Sequence, residues 1–437
     1  MLQGRVQTLS LLRPTLRILY ISQYFPPEMG APSARVSELA RHWVVAGHDV
    51  TVLTGFPNHP DGVLRPEYRE RFLRGFCGED FHGVRVLRTF LLPFPNRKAH
   101  ERILNYTSFC MSAAIAGSFV ERPDVVIATS PQLLVGLSGW WASRIKRVPF
   151  VLEVRDLWPE SLVGTGVGNE TSLMYRTIGK VASFLYRRAD SIVVVTPSFR
   201  DHLVREWDVR TEKITVVQNG VETALFRPRE SACDIRNELR AEGKFVVSYI
   251  GTLGLAHGLD TLIAAAERLQ KVAPQVLFML VGEGADRERI LSLAMSKNLT
   301  NLVFVPQQPR EKIPAYISAS DACMVMLKDK EVFETVIPTK MLEFMSCARP
   351  VILAVRGQAK RVLEAAAGGI CIEPDTPDAL CSAILQLRDQ PALCEELGRR
   401  GRNYIVRELS RERTAQEYLT VLQRVLGEVP AHRTAAA

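Results

Sequence analysis

Residues 17–54 read RILYISQYFPPEMGAPSARVSELARHWVVAGHDVTVLT, and this stretch decides the fold class. Arg17-Ile18-Leu19-Tyr20-Ile21-Ser22 is a short apolar run that stops at Tyr24-Phe25-Pro26-Pro27. A loop containing Gly30 follows. Val36, Leu39, Ala40, Trp43 and Val44 then recur at helical spacing. Gly47-His48 closes that helix, and Asp49-Val50-Thr51-Val52-Leu53-Thr54 has the character of a second strand. Strand, helix and strand in so short a span predict a right-handed parallel unit.

Outward from this unit the pattern repeats. Strands are expected at 84–90, 125–129, 150–154, 191–195 and 214–217, alternating with helices at 132–146, 173–189 and 197–205. The alternation restarts at Phe245-Val246-Val247-Ser248-Tyr249-Ile250-Gly251 and continues through residue 355. Two such runs, joined near 219–229, predict an α/β protein of two doubly wound, Rossmann-like domains, residues 16–225 and 226–405. A long amphipathic helix, about 401–426, is expected at the end, with residues 406–427 crossing back to the first domain. The length of 437 residues agrees with two cores rather than one. Residues 55–100, rich in Pro, Gly and Arg, read either as an irregular substrate-side loop or as a solvated charged surface.

With 47% hydrophobic and 23% charged residues, the chain has the composition of a globular protein and not of a disordered one. The net charge of +8 is uneven: residues 1–220 carry 27 Lys/Arg against 20 Asp/Glu, the remainder 28 against 27. The first half is therefore the one expected to meet an anionic partner. The eight cysteines form no C-x-x-C pair, and Cys323 and Cys371 sit in apolar runs, which points to reduced thiols in a cytosolic protein. Residues 1–15 lack the uninterrupted apolar core of a cleaved signal peptide. Ile103 to Val120 has no charged residue, but its Asn, Thr and Ser content favours a buried or interface helix over a membrane span.

Gly-bearing turns follow three of the expected strands: Gly30, Gly251-Thr252-Leu253-Gly254 and Gly282-Glu283-Gly284. One such turn is weak evidence, since Gly also serves ordinary tight turns. Three at strand ends facing one crevice suit a nucleotide diphosphate, which is met by backbone N–H groups, helix N-termini and basic side chains. No P-loop and no full G-x-G-x-x-G is present, which sets aside ATPase and dehydrogenase readings. In Ile337-Pro338-Thr339-Lys340-Met341-Leu342-Glu343-Phe344-Met345-Ser346-Cys347, Pro338-Thr339 opens a helix, and Lys340, Glu343 and Cys347 share a face. Two readings stand for this helix: Lys340 contacts a phosphate and Glu343 a ribose diol, or the two merely pair on a surface.

The run P-T-K-M-L-E-F-M-S-C-A-R-P-V-I resembles the donor-binding helix of the large retaining glycosyltransferase family that includes sucrose synthase and bacterial mannosyltransferases. Y-F-P-P-E-M-G-A-P-S-A-R, G-H-D-V-T-V-L-T-G, V-V-Q-N-G-V-E-T-A-L-F-R-P, G-T-L-G-L-A-H-G-L-D-T-L-I and V-G-E-G resemble further segments of that family in order, over roughly residues 17–405. T-G-F-P-N-H-P-D-G and E-V-R-D-L-W-P-E-S are most similar to its bacterial surface-polysaccharide branch, of the colanic-acid and fucosamine-transferase kind. The resemblance implies a GT-B fold and sugar transfer, with retention, from a nucleotide sugar that is expected to be a UDP-sugar. The implied acceptor is a saccharide on a polyprenyl diphosphate at the inner face of the cytoplasmic membrane, so peripheral membrane contact is expected and nucleic acid is not.

It also implies site residues. On the donor side these are Gly30, Gly251, Thr252, His257, Gly282, Glu283, Gly284, Lys340 and Glu343. Arg155, Asp156, Glu334 and Thr335 are the catalytic candidates, and His59, Arg65 and Arg69 lie on the acceptor side. The chain departs from the family at several of these positions. The first Glu of the usual E-x7-E falls at Thr335, with Glu334 one place earlier, and the Arg and Lys that hold the diphosphate fall at Thr252 and His257. Arg155 stands where many members have His; Asp156 reads equally as a functional carboxylate or a structural cap. No D-x-D occurs, so neither a catalytic metal nor any other cofactor is expected. Leaving-group charge would then fall to fixed donors and helix dipoles. The competing expectations are a GT-B-type nucleotide-sugar epimerase and an inactive nucleotide-sugar-binding subunit.

Overall fold

The structure, a computed structural model, describes residues 15–59, 61–95, 99–161, 171–229 and 232–427. It contains two sheets. The first is built from β1 (Arg17–Ile21), β2 (Asp49–Gly55), β3 (Phe76–Phe81), β4 (Val84–Thr89), β5 (Val125–Thr129), β6 (Phe150–Val154), β7 (Ser191–Val194) and β8 (Ile214–Val216), in the order β3-β4-β2-β1-β5-β6-β7-β8. The second contains β9 (Phe245–Ile250), β10 (Val276–Val281), β11 (Leu302–Val305), β12 (Ala322–Met326), β13 (Val351–Ala354) and β14 (Gly369–Cys371), in the order β11-β10-β9-β12-β13-β14.

All neighbours in both sheets are parallel except β3, which runs antiparallel to β4. β1 is paired to β2 on one side and to β5 on the other, and β9 likewise separates β10 from β12. Strand order reverses at these two points. Crevices open there beyond the strand C-terminal ends, because successive connections leave to opposite faces.

Both faces of each sheet are covered, which is why the strands are continuous apolar runs. Ile18 and Tyr20 point to the face packed by helix Ala31–Val45 and helix Arg411–Val425. Leu19 and Ile21 point the other way, to a core shared with Phe109, Ala113 and Ala142 of helices Ala99–Phe119 and Val135–Lys146. In the second sheet Val247 and Tyr249 face one core, and Val246 and Ile250 the other. Burying each such side chain contributes about 1.5–3 kcal/mol.

Residues 55–100 are more ordered than their composition indicates. Arg69–Leu73 is a short helix, and Phe76–Phe81 pairs with β4 as an edge hairpin turned at His82-Gly83. The buried Arg88 guanidinium fastens this region, donating to Glu79 and to the carbonyls of Gly55 and Pro26. The single C-terminal helix expected from periodicity is instead two, Pro391–Glu408 and Arg411–Val425. Ser410 breaks it, its hydroxyl accepting from the N–H of Arg413 as an N-cap. The second helix lies on the first sheet's side: Trp43 Nε1 donates to the Ala415 carbonyl at 3.0 Å, and Tyr418, Leu419 and Leu422 are buried beside Trp43.

Candidate active site

The second sheet delivers two loops to one place. Gly251 follows β9 and Gly282 follows β10; the register pairs Ile250 with Val281, so the two turns lie side by side. They are zipped by Gly251 N–H to Val281 O, Leu253 N–H to Glu283 O and Asp286 N–H to Leu253 O, each 2.9 Å. Gly282 has φ +145, and a Cβ there would stand 2.1 Å from the Gly251 carbonyl oxygen. Only glycine allows the two backbones to approach this closely.

Lys340, in the first turn of helix Thr339–Ser346, reaches back to this double turn. Its Nζ donates to Tyr249 Oη at 2.8 Å, lies 4.0 Å from the centre of that ring, and would be 3.2 Å from a Cβ on Gly251. Burial pushes the ammonium down to about 7, with Glu343 pulling the other way. The His257 ring packs edge-on to Tyr249 at 5.9 Å, and its Nδ1 meets the Met326 carbonyl. Burial, then the Lys340 charge, pushes His257 down to about 4, so at neutral pH it carries no charge. Lys340 is thus the basic side chain beside the Gly251 turn. Thr252 lies in the same turn, its carbonyl accepting from Tyr249 Oη.

Glu343 does not pair with Lys340 on a surface. Its Oε1 accepts from Arg310 at 3.0 Å in a largely buried position, and burial raises its pKa against the pull of Arg310. Arg310 donates with its other arm to Glu38 of helix Ala31–Val45 at 2.8 Å, and Glu38 in turn accepts from Arg411. This chain of charges joins helix Thr339–Ser346 to the side of the first sheet. Thr196 Oγ1 to the Thr335 carbonyl at 3.0 Å, and Gln358 Nε2 to Ser198 Oγ at 2.6 Å, join the two sides at a second place. Glu334 and Thr335 therefore sit at the junction. The Thr335 hydroxyl is turned back onto the Val332 carbonyl.

The first sheet presents Gly30, with φ +131, as the N-cap of helix Ala31–Val45. Arg155 and Asp156 follow β6, with both backbone N–H groups directed at Ser130 Oγ. Arg155 NH1 meets the Pro32 carbonyl in the Gly30 turn at 3.4 Å, while its buried Nε has no partner. Burial raises Asp156 to about 6, with Arg155 opposing. Below them Arg35 and Glu153 form a fully buried ion pair at 2.9 Å, with Tyr20 Oη also donating to Glu153, and Arg35 holds the carbonyls of Val217 and Gln218.

Not every sequence candidate joins this centre. Glu283 is exposed and pairs with Arg287; only its carbonyl belongs to the zipped turns. His59, Arg65 and Arg69 lie apart from this centre, in the segment between β2 and β3. The His59 N–H donates to Glu28, its ring packs on Tyr24, and Arg65 donates to the Pro27 carbonyl. Arg69 is exposed on its short helix.

Other residues were not picked out by sequence reasoning. Tyr249, Arg310 and Glu38 carry no local motif. Glu28 lies within the quoted Y-F-P-P-E-M-G. Its Oε1 accepts from the N–H groups of Asn58 and His59, its buried Oε2 has no partner, and burial raises it to about 7. Asn58, Asn105 and Gln23 continue a buried polar chain from it. Asn105 is one of the polar residues inside the uncharged 103–120 stretch, a signal that was available.

This architecture has known counterparts. The structure of sucrose-phosphate synthase from Thermosynechococcus elongatus superposes with a TM-score of 0.74 at 22% identity, over 94% of this chain and 99% of that one. HepE of Anabaena, in complex with UDP-glucose, superposes at 0.69 and 18% identity, over 94% and 100%. In sequence the chain is 23% identical to WcaI of Escherichia coli (strain K12), provisionally named a colanic acid biosynthesis glycosyl transferase, over 92% of this chain and 99% of that protein. The family model described as "Glycosyl transferase 4-like domain" matches residues 30–220, and that described as "Glycosyl transferases group 1" matches 232–404. With these two matches in succession on a GT-B architecture, the chain belongs to the glycosyltransferases and is a transferase.

Proposed function

We propose that the protein moves a sugar from a nucleotide sugar, a UDP-sugar in the first instance, onto a lipid-linked saccharide during surface polysaccharide synthesis, with retention at the anomeric carbon. It does so as a peripheral protein at the inner face of the cytoplasmic membrane. The observation that carries this reading is the Lys340 ammonium, set against the Gly251 turn at the reversal point of the second sheet, where a diphosphate would meet both charge and backbone N–H groups. The UDP-glucose complex of HepE and the colanic-acid naming of WcaI support the donor and the pathway class. Among the described residues no helix is long and apolar enough to cross a membrane, which accords with peripheral attachment.

In this reading Lys340 and the turn N–H groups left outside the zipper, those of Thr252 and Gly254, offset the charge of the departing diphosphate. The bond from the anomeric carbon to the leaving phosphate oxygen breaks while the acceptor oxygen bonds on the same face. The leaving phosphate takes the acceptor proton, so no protein nucleophile is needed. Glu343 would hold the ribose once released by Arg310, and Arg155 and Asp156 face the reacting sugar from the first sheet.

The test is transfer from a panel of UDP- and GDP-sugars to a short-chain polyprenyl-diphosphate saccharide, with and without EDTA, reading the product anomer by NMR. A retained anomer formed in EDTA supports the proposal; an inverted product, or free epimerised nucleotide sugar, refutes it. Glu343→Ala should weaken donor binding by about 1–3 kcal/mol. The uncharged His257 and Thr252 favour one rival, a nucleotide-sugar-binding subunit, which would bind donor tightly without turnover.

A further inference from the structure

Helix Ala99–Phe119 is only half covered. Phe109, Ala113 and Gly117 face the core, and Asn105 enters the polar chain beside Gln23 and Asn58. On the opposite side Ile103, Met111, Ile115 and Phe119 stand in solvent, with 63%, 62% and 84% exposure for the last three. They recur at intervals of four or eight residues and form a stripe about 24 Å long. A surface helix normally turns charge outward; this one has no charged residue from Ile103 to Val120.

The stripe is widened by helix Val135–Lys146. Its Trp141 donates Nε1 to Ser118 Oγ at 3.1 Å while remaining half exposed, and Ile145 is exposed one turn on. The same helix then runs into a basic groove of about 830 Å³, lined by Arg144, Arg147, Arg187, Arg188, Arg210 and Lys213. The one acidic residue lining it, Asp190, is engaged by the Phe150 N–H. None of these six cations forms an ion pair among the described residues, although the Lys213 ammonium donates to the Tyr186 and Arg187 carbonyls. An apolar ridge edged by a tryptophan and continued by unpaired cations matches a bilayer whose headgroups are anionic: apolar side chains enter the interface and the cations meet phosphates. A second copy of this chain is a poorer match, because a two-fold contact would set one basic groove against the other.

We propose that helices Ala99–Phe119 and Val135–Lys146, with the adjoining basic groove, are the surface by which this protein lies on an anionic lipid membrane. The inference deepens the proposed function, since the helix that carries the stripe also carries Asn105 toward the acceptor side, where a lipid-borne saccharide would arrive.

The experiment is co-sedimentation of the full chain with phosphatidylcholine vesicles and with mixed phosphatidylcholine–phosphatidylglycerol vesicles, no acceptor being present. Wild type should pellet with the mixed vesicles, far less with phosphatidylcholine alone, and less again as salt rises. A Met111→Glu/Ile115→Glu/Phe119→Glu variant and an Arg144→Gln/Arg147→Gln/Arg187→Gln/Arg188→Gln variant should each need about tenfold more lipid for half-binding, with unchanged thermal melts. Wild type left in the supernatant, or both variants binding as wild type does, overturns the proposal. So does a dimer in light scattering that the apolar variant dissociates, without vesicle binding. Transfer to a water-soluble acceptor is assayed in parallel: if it persists while vesicle binding fails, the docking surface is wrong and the transferase reading stands.

Discussion

Arg310 and Glu38 meet at 2.8 Å between the two halves of the molecule, and the same guanidinium holds Glu343 at 3.0 Å. One residue thus ties helix Ala31–Val45 of the first half to the helix that also carries Lys340, and it occupies the carboxylate assigned to the donor ribose. In the proposed reading, donor binding and the pairing of the two halves are coupled through this guanidinium.

Arg310→Ala should leave the buried Glu343 carboxylate without its cation and Glu38 with Arg411 alone. The expected cost is about 2–4 kcal/mol, below the full cost of breaking a buried pair because Arg310 keeps some solvent contact. Urea unfolding measures it. Arg310→Lys should recover little, since an ammonium lacks the fork that spans both acids. Wild-type stability in both variants would remove the bridge from the account.

Lys340 gives a pH signature. The unfolded chain keeps this lysine protonated up to about its ordinary 10.5, while the native site releases the proton near 7. Between those values the unfolded state holds more protons, so this group's contribution to stability rises with pH across the window. Lys340→Met should remove that slope and stabilise the ligand-free protein below pH 7, while cutting UDP affinity by about tenfold or more. A bound diphosphate would restore the charged amine. Calorimetry at pH 8 in two buffers of different ionisation enthalpy should therefore show net proton uptake on UDP binding in wild type and none in the variant.

Glu28 has the opposite sign. Its carboxyl titrates near 7 in the native state against 4.5 in an ordinary environment, so between these values the native state holds more protons and stability falls as pH rises. Glu28→Gln keeps the acceptor for the Asn58 and His59 N–H groups and cannot ionise. It should raise stability at pH 8 by on the order of 2 kcal/mol and flatten the profile between pH 4.5 and 7. Parallel profiles for the two proteins would show that Glu28 is already ionised.

Gly282→Ala should displace the Gly251 carbonyl, because the new Cβ would come within 2.1 Å of it in a backbone region that alanine avoids. We expect a loss of about 2 kcal/mol or more together with weaker UDP binding, since Gly251 lies against Lys340. Gly243→Ala, also at positive φ but with nothing within 4 Å, should cost about 1 kcal/mol and leave UDP binding unchanged. Equal effects on UDP affinity would contradict the role of the zipped turns.

Much of the architecture was legible before any coordinates. The apolar runs at 17–22, 49–54 and 245–250, with glycine after the first and last and helical periodicity between them, specify buried parallel strands, because only a strand covered on both faces tolerates such runs. The placement of Gly30, Gly251, Gly282 and Lys340 was readable for a related reason: standing past a strand end or in a first helical turn is a local property. Other features depend on residues far apart in the chain. Arg310 lies between Glu38 and Glu343, Tyr249 is 91 positions before the lysine it contacts, and Glu28 is isolated from water by Asn58 and its neighbours. Periodicity over a dozen residues carries no information about such pairings. The edge strand Phe76–Phe81, which pairs with the expected strand at 84–90, and the break at Ser410 were missed because a weak edge strand and a single capping hydroxyl hardly change the local pattern. Hydrophobic periodicity therefore determined the two sheets and the ends of the strands where chemistry gathers. Packing decided which side chains are desolvated there and which charges they meet, because burial and long-range ion pairing exist only once the chain has closed on itself.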